Sequence, residues 1–140
     1  MKSLLTKVET ILSGLSWAAA YDNPAGGTIA MRAYTGAMPP KRESAGQGED
    51  FPYRFTWLDG FDLTRHGMRY TVATEIGIYE AGSISDAITL VDSIITIIKP
   101  LPSKIYAPFK LLESEITGDL SKANHPFYTI TLNMTFREIN

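Results

Sequence analysis

Phe127-Tyr128-Thr129-Ile130-Thr131-Leu132-Asn133-Met134-Thr135-Phe136-Arg137 alternates without a break. Tyr128, Ile130, Leu132, Met134 and Phe136 fall on one side, and Thr129, Thr131, Asn133, Thr135 and Arg137 on the other. A period of two marks a strand with one packed face and one polar face. Arg69 to Tyr79 repeats the rule, with Tyr70, Val72, Ile76 and Ile78 against Arg69, Thr71, Ala73 and Glu75. Phe109 to Ile116 reads as a further strand, paired antiparallel with the last one through the connection from Gly118 to Pro126. Phe51 to Leu58 is another, with Phe51, Tyr53, Phe55 and Trp57 on one side and Pro52 near the start, where a missing N–H is tolerated. Thr28 to Tyr34 supplies one more strand, after the turn cluster from Asp22 to Gly27.

Two segments carry a helical period instead. Leu4, Leu5, Val8, Ile11 and Leu12 are spaced for one helix face, behind Ser3 as N-cap and ahead of Gly14 as a stop. Gly82 and Ser83 lead into a second helix whose face is read as Ile84, Ile88, Val91, Ile95 and Ile98, with Asp86 in the first turn where it suits the dipole. The Lys99-Pro100-Leu101-Pro102 run ends it, because Pro cannot continue a helix and restricts the residue before it. These elements predict one α+β domain over residues 1–140, with an antiparallel or mixed sheet of about five strands flanked by an N-terminal and a central amphipathic helix.

Two connections stand out. Asp59 to Gly67 is expected to be the tip of a hairpin, yet it holds Phe61 and Leu63 where turns are normally polar, and those side chains need a partner. Thr35 to Asp50 has no periodicity and is rich in Gly and Pro, and a loop of that length inside a compact domain is usually functional or disordered. Arg42 and Glu43 in this loop, and Arg65 and His66 in the hairpin tip, offer charge-assisted contacts once a neighbour fixes them.

Composition excludes several functions. Thirteen basic against fifteen acidic residues leave a formal charge of −2, without the basic excess of a protein that wraps nucleic acid. The absence of cysteine removes disulfides, thiolate metal sites and Cys nucleophiles, and fits maturation in a reducing cytosol. Lys7 and Glu9 interrupt the apolar run that a secretory signal requires, and no segment is long and apolar enough to span a membrane. The two histidines, His66 and His125, lack a second ligand at metal-binding spacing. No nucleophile motif accompanies the serines, and Gly26-Gly27 lacks the Lys-Ser/Thr of a phosphate loop. The aromatic strand around Tyr53, Phe55 and Trp57 has only Arg54 as a cation, too few for a base-stacking sheet, so these rings are expected to pack in the core. Glu113, Glu115 and Asp119 form the most concentrated acidic stretch, and Glu113 and Glu115 project to one side of their strand. These residues are expected to line a solvated or lumen-facing sheet face, with no catalytic role, no cofactor and no metal.

In order, the N-terminal helix, the long loop, the hairpin whose second arm begins Gly67-Met68-Arg69-Tyr70-Thr71-Val72, the amphipathic helix ending in Pro and the closing Pro126-Phe127-Tyr128-Thr129-Ile130-Thr131-Leu132 strand resemble the tail terminator proteins of tailed bacteriophages. The likeness covers the chain from Phe51 onward and does not extend to the loop from Thr35 to Asp50. It implies a structural virion protein without enzymatic activity, assembled in the bacterial cytoplasm into a homo-hexameric ring. Such a ring caps the tail tube, ends its polymerisation and offers the surface for a head-tail connector or head completion protein. DNA then passes through the lumen without specific binding, and no membrane takes part. Two other readings stand beside it: another neck ring of the same particle, or a small domain binding nucleic acid or ligand through its aromatic sheet.

Overall fold

The computed structural model describes residues 2–15, 17, 20–36, 51–80, 82, 85–99, 104–122 and 125–139. In chain order these form α1 (Lys2–Leu12), β1 (Tyr21–Asp22), β2 (Thr28–Ile29), β3 (Arg32–Thr35), β4 (Tyr53–Thr64), β5 (Gly67–Tyr79), α2 (Ser85–Ile98), β6 (Ile105–Tyr106), β7 (Phe109–Asp119) and β8 (Phe127–Glu138). The fold is α+β. Six strands form one curled mixed sheet in the order β3-β4-β5-β8-β7-β6, and β1 with β2 makes a separate two-stranded ribbon. Only β3 and β4 run parallel; every other pair is antiparallel.

The alternation read from β5 and β8 holds throughout. Tyr128, Ile130, Leu132, Met134 and Phe136 are all buried, and they lie opposite Ile78, Ile76, Thr74, Val72 and Tyr70 of β5. Directly paired residues share a face, so these ten form one continuous core surface. Leu4, Val8, Ile11 and Leu12 of α1 and Ala87, Leu90, Ile94 and Ile98 of α2 join them in a single apolar cluster. At 0.8 kcal/mol or so per buried CH₂, this cluster is the main source of stability.

Several expectations are corrected. The segment Thr28 to Tyr34 is broken into β2 and β3, which belong to different sheets, and the strand count exceeds five. Thr35, expected to open a long loop, lies in β3, and Gly36 N–H bonds Thr56 O at 2.7 Å with a φ of +87°; residues 37–50 of that expected loop lie outside the described residues. Helix α1 begins at Lys2, one residue before the expected cap Ser3. The buried stripe of α2 is Ala87, Leu90, Ile94 and Ile98, whereas Ile88 and Ile95 of the expected stripe are 43% and 42% exposed. Ile84 lies outside the described residues. A helix apolar on nearly every side offers two stripes at the same spacing, and packing chooses between them.

Two bulges set which side chains face the helices. The β4–β5 register slips between Leu58 and Gly60, and the β7–β8 register between Leu111 and Glu113. An extra residue in one strand reverses its alternation. Leu111 therefore faces the core opposite Phe136, while Glu113 and Glu115 turn to the other face opposite Thr135 and Asn133. Without the bulge at Leu112 both carboxylates would be driven under α2.

One polar pair lies inside the core face. Thr56 and Thr74 are fully buried cross-strand neighbours, their hydroxyls 2.9 Å apart. Thr74→Val will cost about 1–3 kcal/mol, because it strands the Thr56 hydroxyl in an apolar setting. Adding Thr56→Val will restore most of that loss. Urea unfolding of the single and double variants checks this, and additive losses would refute the pairing.

Candidate functional site

Among the described residues, helices cover the sheet on one side only. Both helices pack on the face of Val72, Ile76, Ile130 and Leu132. The opposite face is built from cross-strand rows that the register defines. Asp62, Arg69, Arg137 and Lys110 form one row; Gly60, Thr71, Thr135 and Glu113 the next; Trp57, Ala73, Asn133 and Glu115 the third. Phe55, Glu75, Thr131 and Thr117 follow, then Tyr53, Gly77, Thr129 and Asp119. Glu113, Glu115 and Asp119 are exposed along this face, as their strand positions require. They share it with a basic row, Arg69, Arg137 and Lys110, that sequence reading missed. These three cations lie on three strands distant in sequence, and only the register brings them side by side.

The aromatic residues of β4 lie on this second face, opposite the helices, and so outside the main core where they were expected. Tyr53 is nonetheless buried and lays its ring over Gly77, its partner on β5; a Cβ at Gly77 would meet Tyr53 Cε1 at 2.1 Å. Phe51 stands edge-on to Tyr53 and to Phe127, at centroid distances of 5.0 and 5.2 Å, and closes this end of the face. Phe55 and Trp57 stack at 4.7 Å and stay half-buried. Arg54 points to the helix side, where it holds Glu9 of α1 at 2.7 Å and lies over the Trp17 ring at 4.9 Å. The one cation of the aromatic strand thus anchors α1.

The hairpin is longer than the sequence suggested. β4 runs on to Thr64, and the turn is only Arg65-His66, with Gly67 at φ +105°. Thr64 Oγ1 accepts the His66 N–H at 3.1 Å and donates to Gly67 O at 3.0 Å, which fixes the turn. After the bulge at Asp59, Phe61 pairs with Tyr70 and Leu63 with Met68, on the helix side of the sheet. No helix reaches them among the described residues, and Phe61 is 60% and Leu63 79% exposed. Leu63, Arg65 and His66 border an open hollow of about 570 Å³ together with Met68 and Glu138. The structure thus brings Phe61, Leu63, Arg65 and His66 together at the turn end of the β4–β5 hairpin. Arg42 and Glu43 lie outside the described residues.

Among the described residues, no three of His, Asp or Glu converge on a common point. His66 sits exposed in the turn, and His125 Nδ1 pairs with the Tyr128 hydroxyl. No helix is long and apolar enough to cross a membrane.

Glu80 is a residue that sequence reading did not single out. It is 4% exposed, and its two carboxyl oxygens accept the N–H groups of Asp86 and Ala87 at 2.9 and 3.1 Å, capping α2 from outside the helix. Burial pushes its pKa up, against the downward pull of those two donors, and the charges of Asp86 and Asp22 add to the rise. A folded-state pKa above the unfolded one means the folded chain keeps a proton that the unfolded chain has lost. Stability then falls as pH rises from the usual carboxylate range through the raised value, and levels off above it. Glu80→Gln will remove that fall, and Glu80→Ala will cost about 1–3 kcal/mol through the two stranded donors. Denaturation curves across this pH window check both; an unchanged pH profile in Glu80→Gln would refute the assignment.

Compared with protein-family models and with curated proteins, the chain gave no match.

Proposed function

We propose that this protein is a structural ring subunit, of the kind that caps a phage tail tube as a hexamer, ends its growth and presents a docking surface for the head. One observation carries the reading. On the face opposite the helix-covered one, β5, β8 and β7 present chiefly Thr, Asn and charged residues, bordered by Tyr53, Phe55 and Trp57 of β4. An antiparallel sheet commonly leaves one face to water, and a ring that surrounds DNA can use such a face as its lining. The acidic residues Glu113, Glu115 and Asp119 suit a bore that does not grip phosphate, and the cations Arg69, Arg137 and Lys110 are confined to one row beside that of Glu113. Ring closure is geometric: one interface repeated by rotation stops further addition. No catalytic step is required.

Mass by light scattering, joined with negative-stain imaging of the same sample, tests the reading. Closed rings are expected at high concentration or on tube ends. A chain that stays monomeric at every concentration and never decorates tube ends would contradict it.

A further inference from the structure

The outer two of the four long strands, β4 and β7, are each only partly covered by the short edge strands β3 and β6. β3 pairs with β4 from Tyr53 to Thr56, and among the described residues no strand lies outside β4 from Trp57 to Thr64. β6 pairs with β7 only at Phe109 and Lys110, which leaves the outer side of β7 from Leu112 to Gly118 without a strand among the described residues. The open stretches are offset along the strands, that of β4 running toward the Arg65-His66 turn and that of β7 toward Gly118, and share only the rows of Trp57, Leu58 and Gly60. Because β4, β5, β8 and β7 alternate in direction, β4 and β7 run antiparallel. A second copy in the same orientation can therefore add its β4 to the first copy's β7 as an ordinary antiparallel pair, with the helix-covered sides of both on the same side.

Each open edge carries half of an apolar contact on that same side. The β4 edge presents Phe61 and Leu63. Beside the β7 edge, Ile94, Ile95, Ile98 and Lys99 of α2 and Ser114 and Ile116 of β7 line a largely apolar groove of about 200 Å³, with Ile95 42% exposed at its rim. Exposed rings and branched side chains on one edge, and an empty apolar groove at the other, are the two halves of one head-to-tail contact.

We infer that the hairpin arm of one copy docks on the next copy of this chain, pairing β4 with β7 and seating Phe61 and Leu63 in the groove between α2 and β7. This contact rests on the ring reading and supplies its interface. Overlapping the open stretches with matched faces sets Phe61 beside Ile116 and Leu63 beside Ser114 of the next copy. Within one copy Ile116 shares its row with Thr56. The neighbour is therefore displaced along the strands by four rows, about 13 Å at ~3.3 Å per residue. A sheet can close into a cylinder only if its register is staggered, and the diagonal placement of the open edges supplies such a stagger. Because the two surfaces differ, the contact is head-to-tail and does not close as a two-fold dimer; it gives a ring where its rotation brings the last copy back to the first.

The absence of native cysteine allows a clean test. Opposed residues on paired strands come within disulfide range, so Leu63→Cys with Ser114→Cys, oxidised at the highest soluble concentration, is expected to give a ladder of linked subunits. Leu63→Cys with Ile116→Cys reports the neighbouring register. Each single-cysteine variant is expected to stay unlinked. No ladder in either double variant, or efficient linking of Leu63→Cys to itself, would overturn the inference. Wild-type binding to tube ends is read separately. Rings without the ladder would leave the ring standing on other surfaces, and a ladder without tube-end binding would leave the contact standing without the tail.

Discussion

Gly77→Ala will destabilise the fold by about 3 kcal/mol or more, toward the upper end of what overpacking costs. The added methyl would stand 2.1 Å from Tyr53 Cε1 and 2.7 Å from Cδ1 and Cζ of the same ring. That ring is fully buried and wedged edge-on against Phe51, so it has no open space to retreat into. The backbone of Gly77 is ordinary strand, which makes the clash, and not the dihedral angle, the source of the loss. Urea denaturation gives the value. Gly77→Ala with Tyr53→Leu is expected to recover part of it, and a single variant as stable as wild type would show that Tyr53 does not cover Gly77.

The second large effect is on assembly. Phe61→Ser with Leu63→Ser will leave the subunit folded, since both side chains project into solvent and such surface changes stay within about 0.5 kcal/mol. If the proposed contact builds a ring, the same variant will lose it, because central apolar anchors carry about 2 kcal/mol or more each at an interface. Two such losses at one contact weaken it by a factor on the order of a thousand. Far-ultraviolet circular dichroism with light scattering separates the outcomes. A folded variant that still assembles at wild-type concentration would place the interface elsewhere.

Much of the architecture was legible because β5 and β8 keep one alternation from end to end, and no bulge interrupts their pairing. Where an extra residue intervenes, local pattern fails. Asp59 and Leu112 each reverse the alternation of their strand, and neither looks different from its neighbours in sequence. The sequence puts the hairpin tip at Asp59 to Gly67, whereas pairing with β5 carries the strand past Asp59 and Gly60 to Thr64. The stripe on α2 was misphased because isoleucine occupies both candidate faces. The candidate arm residues Phe61 and Leu63 were visible as apolar side chains in a polar context. The groove that would receive them was not, since Ile95 and Ile116 meet only when α2 folds over β7. Glu80 and the row of Arg69, Arg137 and Lys110 were hidden for the same reason.

The most direct measurement of the central claim is electron microscopy of growing tail tubes mixed with gold-labelled protein, using the tube subunit from the same particle. The account predicts label at one end of each tube and tubes that stop lengthening once labelled. Tubes that elongate unchanged, with label absent or scattered along their sides, would contradict it.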